Sequence, residues 1–266
     1  MNEVLCRQLA ADYCCGAEEV RAGGNVFTTY RPLEGRRRFQ ERKDCFLKIA
    51  AVGGKLLFTG RSDVVARCRE RYADCGSEWF FEPDSLRELD GMLRADGRQI
   101  ASAHPFFIAE RPTEPRAADC ELRWYEREEI ERFRGDERFG EAFCFCPEAP
   151  DMLGVAALRE GRIIGMAGAS ADSPTMWQIG VNVDPASRGE GVATLLVTLL
   201  KNEILKKGIL PFYGTSPSHL ASQRVALGAG FLPAWAELVT EEIPRRGGKD
   251  AGGIDGETAE RLTEKL

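Results

Sequence analysis

Histidine is almost missing from this chain: two residues in 266, His104 and His219. Cys144-x-Cys146, with Cys120 nearby, has no Cys-x-x-Cys partner and no histidine close by, so the ligand set of a zinc site is lacking and no metal is expected. The nine cysteines are odd in number and follow no framework, which excludes a disulfide scaffold and reads as free thiols in a reducing compartment. No apolar run of signal or membrane length opens the chain, so the expected location is the cytoplasm, without a membrane partner. An excess of positive charge is absent too. The net charge is −6 and the isoelectric point about 5.3, a poor field for a nucleic-acid partner. The short basic run Arg36-Arg37-Arg38 reads as a solvated loop. With 43% hydrophobic and 29% charged residues, a large core can form without metals or disulfides.

Periodicity divides the chain near its middle. Residues 2–14 read as a helix, Asn25–Tyr30 as a strand, and Cys45–Gly60 as a hairpin turning at Gly53-Gly54. Ser62 is placed to cap one helix and Asp84 or Ser85 another. Trp79-Phe80-Phe81 reads as core. Glu110–Asp119, rich in proline and charge, is the linker candidate. Beyond it come a strand at Cys120–Glu126, short charged helices to about Phe143, and strands at 153–160, 162–170 and 175–183. A long helix follows, then a strand at Ile209–Gly214, a helix at Ser218–Leu227 and a strand around Trp235–Thr240. The expected domains are 1–115 and 118–243, with a glycine-rich charged tail at 244–266.

The stretch Asp184–Leu196, DPASRGEGVATLL, joins an apolar strand to an amphipathic helix. Val192, Leu195, Leu196, Leu199, Leu200 and Ile204 keep helical spacing, and Lys201, Asn202, Lys206 and Lys207 take the other face. The pattern predicts a helix beginning near Arg188 and stopping at Gly208. Two glycines in a first turn cost about 1 kcal/mol each against alanine. They leave the orphan N–H groups and positive end of the helix unobstructed, which suits a pyrophosphate, and Arg188 adds charge. A Rossmann reading fails because its third glycine falls at Thr194 and residues 208–214 offer no acid for a ribose. A P-loop fails because no Gly-Lys-Ser/Thr follows.

Arg188-x-x-Gly191-x-Ala193 after Val181-Asn182-Val183-Asp184-Pro185, with a later strand and helix ending in Gly230-Phe231, resembles the GNAT superfamily of acyl-CoA-dependent N-acyltransferases. The resemblance is strong over the C-terminal half, and extends to a bacterial subgroup with an extra N-terminal half. It implies an α/β (α+β) fold, a mixed central sheet flanked by helices, plus an additional N-terminal α/β domain. It implies acetyl-CoA as co-substrate, with main-chain groups of Val181, Asn182 and Val183 on the pantetheine arm. Arg188, Gly189, Glu190, Gly191, Val192, Ala193 and Thr194 would hold the pyrophosphate, and Ser216, His219 and Ser222 would contact the cofactor. A strand N–H would polarise the thioester carbonyl, and a primary amine would attack directly. The tyrosine that many members place four residues before the glycine of Gly-Phe is Ala226 here. His219, whose imidazole titrates near neutrality, and Asp172 are the candidates for proton transfer. A small-molecule amine is the expected acceptor. A catalytically weak acyl-CoA sensor and a peptide or protein acetyltransferase are the alternatives, and a homodimer is compatible with the family.

Overall fold

The structure is a computed structural model, described over residues 1–37, 44–116 and 118–244. The chain forms two compact units. One runs from Met1 to Pro105 and regains the chain at Ala234; the other is Phe106–Pro233. These breaks differ from the expected domain limits of 115, 118 and 243, because the last strand belongs with the N-terminal unit. The expected tail lies outside the described residues from position 245 onward.

The first unit opens with α1 (Glu3–Asp12), where the Asn2 side chain accepts from the Leu5 N–H as a cap. Then follow α2 (Ala17–Arg21), β1 (Val26–Thr29), β2 (Leu47–Val52), β3 (Lys55–Gly60), α3 (Ser62–Tyr72), α4 (Pro83–Arg94) and β4 (Arg98–Ile108). The β2–β3 hairpin turns at Gly53 and Gly54, both at positive φ, as their sequence suggests. The caps differ from expectation. Arg61 and Glu82 occupy the N-cap positions without side-chain bonds, and Pro83, with its φ already set, starts α4. Trp79 is 76% exposed while Phe80 is 1% exposed, set edge-on to Phe58 and Tyr72. The basic run is not wholly solvated either. Arg37 is buried, its guanidinium paired with Asp12 of α1 and Glu237, whereas Arg38 lies outside the described residues.

The second unit contains β5 (Glu121–Glu126), α5 (Arg127–Ile130), two single-turn helices ending at Phe139, β6 (Asp151–Arg159), β7 (Arg162–Ser170), β8 (Met176–Val183), α6 (Val192–Lys206), β9 (Leu210–Gly214) and α7 (Leu220–Gly228). The chain ends its described part with β10 (Leu232–Glu242), which pairs antiparallel with β2 through Ala236–Val239. Strands β5 to β8 pair antiparallel in sequence order, and β9 joins β8 in parallel. The architecture is thus α/β, with a mixed sheet flanked by helices and a further N-terminal α/β unit. On one face of the strands of the second unit, Val192, Leu196, Val197 and Leu200 of α6 pack on Val155, Ala167 and Ile179. On the other, Phe133, Phe139 and Phe143 cover Ala156 and Met166. No helix among the described residues is long and apolar enough to cross a membrane.

Lys201 departs from its expected solvated face. It is fully buried, and its ammonium donates to the Ala229 and Arg111 carbonyls and the Thr113 hydroxyl. It ties the segment before β5 to the end of α7. Lys201→Met keeps the length of the side chain but removes all three hydrogen bonds of the ammonium. It is expected to destabilise the protein by about 3 kcal/mol, read as a lower denaturant midpoint in chemical unfolding.

Candidate active site

The ladder between β8 and β9 is short. Met176, Trp177 and Gln178 pair with Leu210, Pro211 and Phe212, and there the register ends, while β8 stays paired with β7 as far as Val183. The phase of the strand tells which groups are left at the open edge. The Asp184 N–H donates to the Ile164 carbonyl on the β7 side, and the Thr175 carbonyl accepts from Leu210 on the β9 side. Backbone groups alternate in direction along a strand. Even-numbered residues therefore face β7, and the N–H and C=O groups of Val181 and Val183 face the opening, as the resemblance implies for an extended arm.

Asn182 is placed differently from expectation. Its backbone faces β7, and its side-chain oxygen accepts from the N–H groups of Glu141 and Ala142, at 3.0 and 2.8 Å. The side chain holds the Glu141–Ala142 backbone.

The helix expected from Arg188 begins at Val192 instead. Gly189 and Gly191 both take φ of 84° in the loop before it. Their conformation rather than helix propensity explains the glycines, since a Cβ disfavours this region. Gly191 is the N-cap and supplies no side-chain bond; the first helical bond runs from Leu195 to Gly191. The N–H groups of Val192, Ala193 and Thr194 have no acceptor among the described residues. A Cβ built at Gly189 or Gly191 would meet nothing within 4 Å. Arg188 is exposed, with no ion partner among the described residues. Glu190 is paired with Arg159 at 2.6 Å, a hydrogen bond that holds its carboxyl below the usual range. The uncapped helix end can take an anion through its N–H groups and dipole.

Across the opening, Tyr213 of β9 is buried, and its hydroxyl lies 2.9 Å from that of Ser222 on α7. Burial raises the phenol pKa; the Ser222 bond opposes this and the charge of Glu141 adds to it. The Ser222 link sets the first turn of α7 over β9. His219, expected inside that turn, is its exposed N-cap and makes no side-chain cap bond. Ser216 approaches Ser218 at 3.1 Å, and its carbonyl accepts from the His219 N–H. Ala226 is fully buried and offers no proton.

The structure does not bring Asp172 to this opening. It sits buried in the turn before β8, at the paired end of the β8–β9 ladder, accepting from the Ser170 hydroxyl at 2.7 Å. From Met176 to Val181 the strand rises about 17 Å. Asp172 serves the turn. Sequence reasoning missed Glu141, which the Asn182 side chain fixes beside Gly180. A glycine inside a strand signals a close backbone approach and was the available cue.

The model of the acetyltransferase (GNAT) family matches residues 118–231. Similar solved structures include a GCN5-related N-acetyltransferase-like protein from Streptococcus suis, at 15% identity and TM-score 0.47, covering 89% of this chain and 98% of that one. A GNAT-family acetyltransferase from Colwellia psychrerythraea has 12% identity and TM-score 0.41, covering 77% and 84%. A tandem GNAT protein of the clavulanic acid biosynthesis pathway has 14% identity and TM-score 0.44, covering 59% of each chain. No curated protein matches the chain. Over residues 118–231 the chain is similar to the GNAT acetyltransferase family.

Proposed function

We propose that the protein moves an acetyl group from acetyl-CoA to a primary amine of a small molecule, by direct attack. The observation that carries this reading is the uncapped end of α6, with two positive-φ glycines, following in the chain the edge of β8 that β9 leaves open. Val192, Ala193 and Thr194 would bind the pyrophosphate through their N–H groups, aided by Arg188. Val181 and Val183 would hold the pantetheine arm by main-chain bonds, and one of their N–H groups would polarise the thioester carbonyl. Tyr213, bonded to Ser222, is the proton donor we assign to the departing thiolate. Nine free thiols fit a reducing compartment, and we place the protein in the cytoplasm.

Calorimetric titration with acetyl-CoA and with CoA tests the binding half of this reading; a dissociation constant of about micromolar order is expected, equivalent to about 8 kcal/mol. Release of free thiol on adding amines tests the transfer. The buried Ala226 favours a second reading, an acyl-CoA sensor with little catalysis, which predicts binding without amine-dependent thiol release.

Glu190 puts a carboxylate beside the proposed phosphate site, and Arg159 offsets it. Arg159→Ala is expected to weaken acetyl-CoA binding about threefold at low salt, the effect fading as salt rises, because both groups are exposed and screened. Titration at two ionic strengths checks it.

A further inference from the structure

Three strand glycines line up across β6, β7 and β8: Gly154 is opposite Gly168, and Gly168 is opposite Gly180. Glycine weakens a strand by about 0.5–1 kcal/mol, so a row of three calls for a reason. A Cβ at Gly180 would lie 1.7 Å from the Glu141 carbonyl oxygen, and one at Gly168 would lie 2.1 Å from that of Ala142. At Gly154 and Gly168 it would also strike the Phe143 ring, at 2.8 and 2.6 Å. The row is a trough, and the backbone of Glu141–Phe143 lies in it.

Both ends of this segment are tied down. Asn182 accepts from Glu141 and Ala142, and the buried Asp151 carboxylate accepts from the N–H groups of Cys144 and Phe145. The trough ends at Gly180, two residues past Gln178, the last β8 residue paired with β9. The fold therefore fixes a half-exposed glutamate at the open edge of β8, on the face away from α6.

We propose that Glu141 is the catalytic base for the acceptor amine, in the role that sequence alone suggested for Asp172. This rests on the transfer reading above. The acceptor arrives as an ammonium and gives one proton to the Glu141 carboxylate. The freed lone pair attacks the thioester carbon and forms the C–N bond. The C–S bond then breaks, its electron pair leaves on sulfur, and a second nitrogen proton ends on the thiolate by way of Tyr213. The products are the amide, CoA thiol and a proton on Glu141.

The test uses the full-length protein, acetyl-CoA and two small acceptors at neutral pH: propylamine, which is cationic there, and hydroxylamine, which is neutral. Glu141→Gln is expected to lower propylamine-dependent thiol release by about 100-fold or more, and hydroxylamine-dependent release by less than about threefold. Acetyl-CoA affinity should not change. Gly180→Ala, which lifts the Glu141 backbone off the sheet, should give the same selective defect. Equal losses with both acceptors, or no loss with propylamine, would overturn the assignment of Glu141. Wild-type protein that binds acetyl-CoA yet releases no thiol with either acceptor would instead overturn the transfer reading, and this proposal with it.

Discussion

Gly191→Glu is expected to weaken acetyl-CoA binding by about 100-fold or more while the protein stays folded. Two effects combine. The new carboxylate occupies the space into which the end of α6 opens, now free of any atom within 4 Å of a Cβ built at Gly191. It also sets a negative charge beside the pyrophosphate. At about 5 Å and an effective dielectric constant of about 20, one such pair costs about 3 kcal/mol, and that alone is about 100-fold. The fold loses less. Gly191 has φ of 84°, so any side chain there bears about 1–2 kcal/mol of left-handed strain, but none from a clash. Gly191→Asn separates the two effects, since asparagine tolerates this conformation and carries no charge. Calorimetry should show Gly191→Asn binding within about tenfold of wild type and Gly191→Glu near the detection limit. Equal affinity of Gly191→Glu and wild type would remove the end of α6 as the phosphate site.

The contrast between the cradle and Glu141 shows what one sequence can carry. The cradle is local. Val181 to Thr194 is a single run, and the residue types needed at a positive-φ cap before an apolar helix are visible in it. Even so, the helix start was misplaced by four positions, because a glycine inside a helix and a glycine before one look the same as letters. Glu141 depends on Gly154, Gly168, Gly180 and Asn182, which come from three strands whose mutual register is tertiary information. Each glycine was readable as an oddity in its own strand; their alignment was not. Lys201 failed for a related reason. It falls on the polar face of α6 by periodicity, yet Thr113 and Ala229, distant in sequence, turn that face inward.

Arg37→Met is expected to cost about 3–5 kcal/mol of stability, the penalty of stranding buried charge. Burial works against the charge on Arg37, and the carboxylates of Asp12 and Glu237 more than offset it. The guanidinium donates to Asp12 through its Nε and to Glu237 at 2.8 Å, while the Arg37 main-chain N–H reaches Asp12 at 2.9 Å. Methionine keeps much of the side-chain volume but removes the guanidinium that both carboxylates share. The sequence held a hint of this. Leu5, Gln8, Leu9 and Asp12 follow helical spacing, so Gln8 and Asp12 had to lie on the apolar face, and buried polar groups need partners. That the partner of Asp12 comes from a basic run, and is shared with Glu237 on β10, could not be read. The pH dependence gives the mechanism away. In the wild type, burial alone would raise the Asp12 carboxyl, but the charges of Arg37 and Lys48 hold it below its ordinary value of 3.8. The unfolded chain then binds more protons, so this contribution is present above that value and is lost as pH falls through the folded one. In Arg37→Met, burial is no longer countered by Arg37, and the carboxyl of Asp12 should rise above its unfolded value. The folded state then binds more protons, and the variant should gain stability as pH falls from 7 toward 5, where the wild type does not. Chemical unfolding of both proteins across that range reads the sign directly. Parallel curves would mean that the loss comes from packing against Trp235 and not from stranded charge.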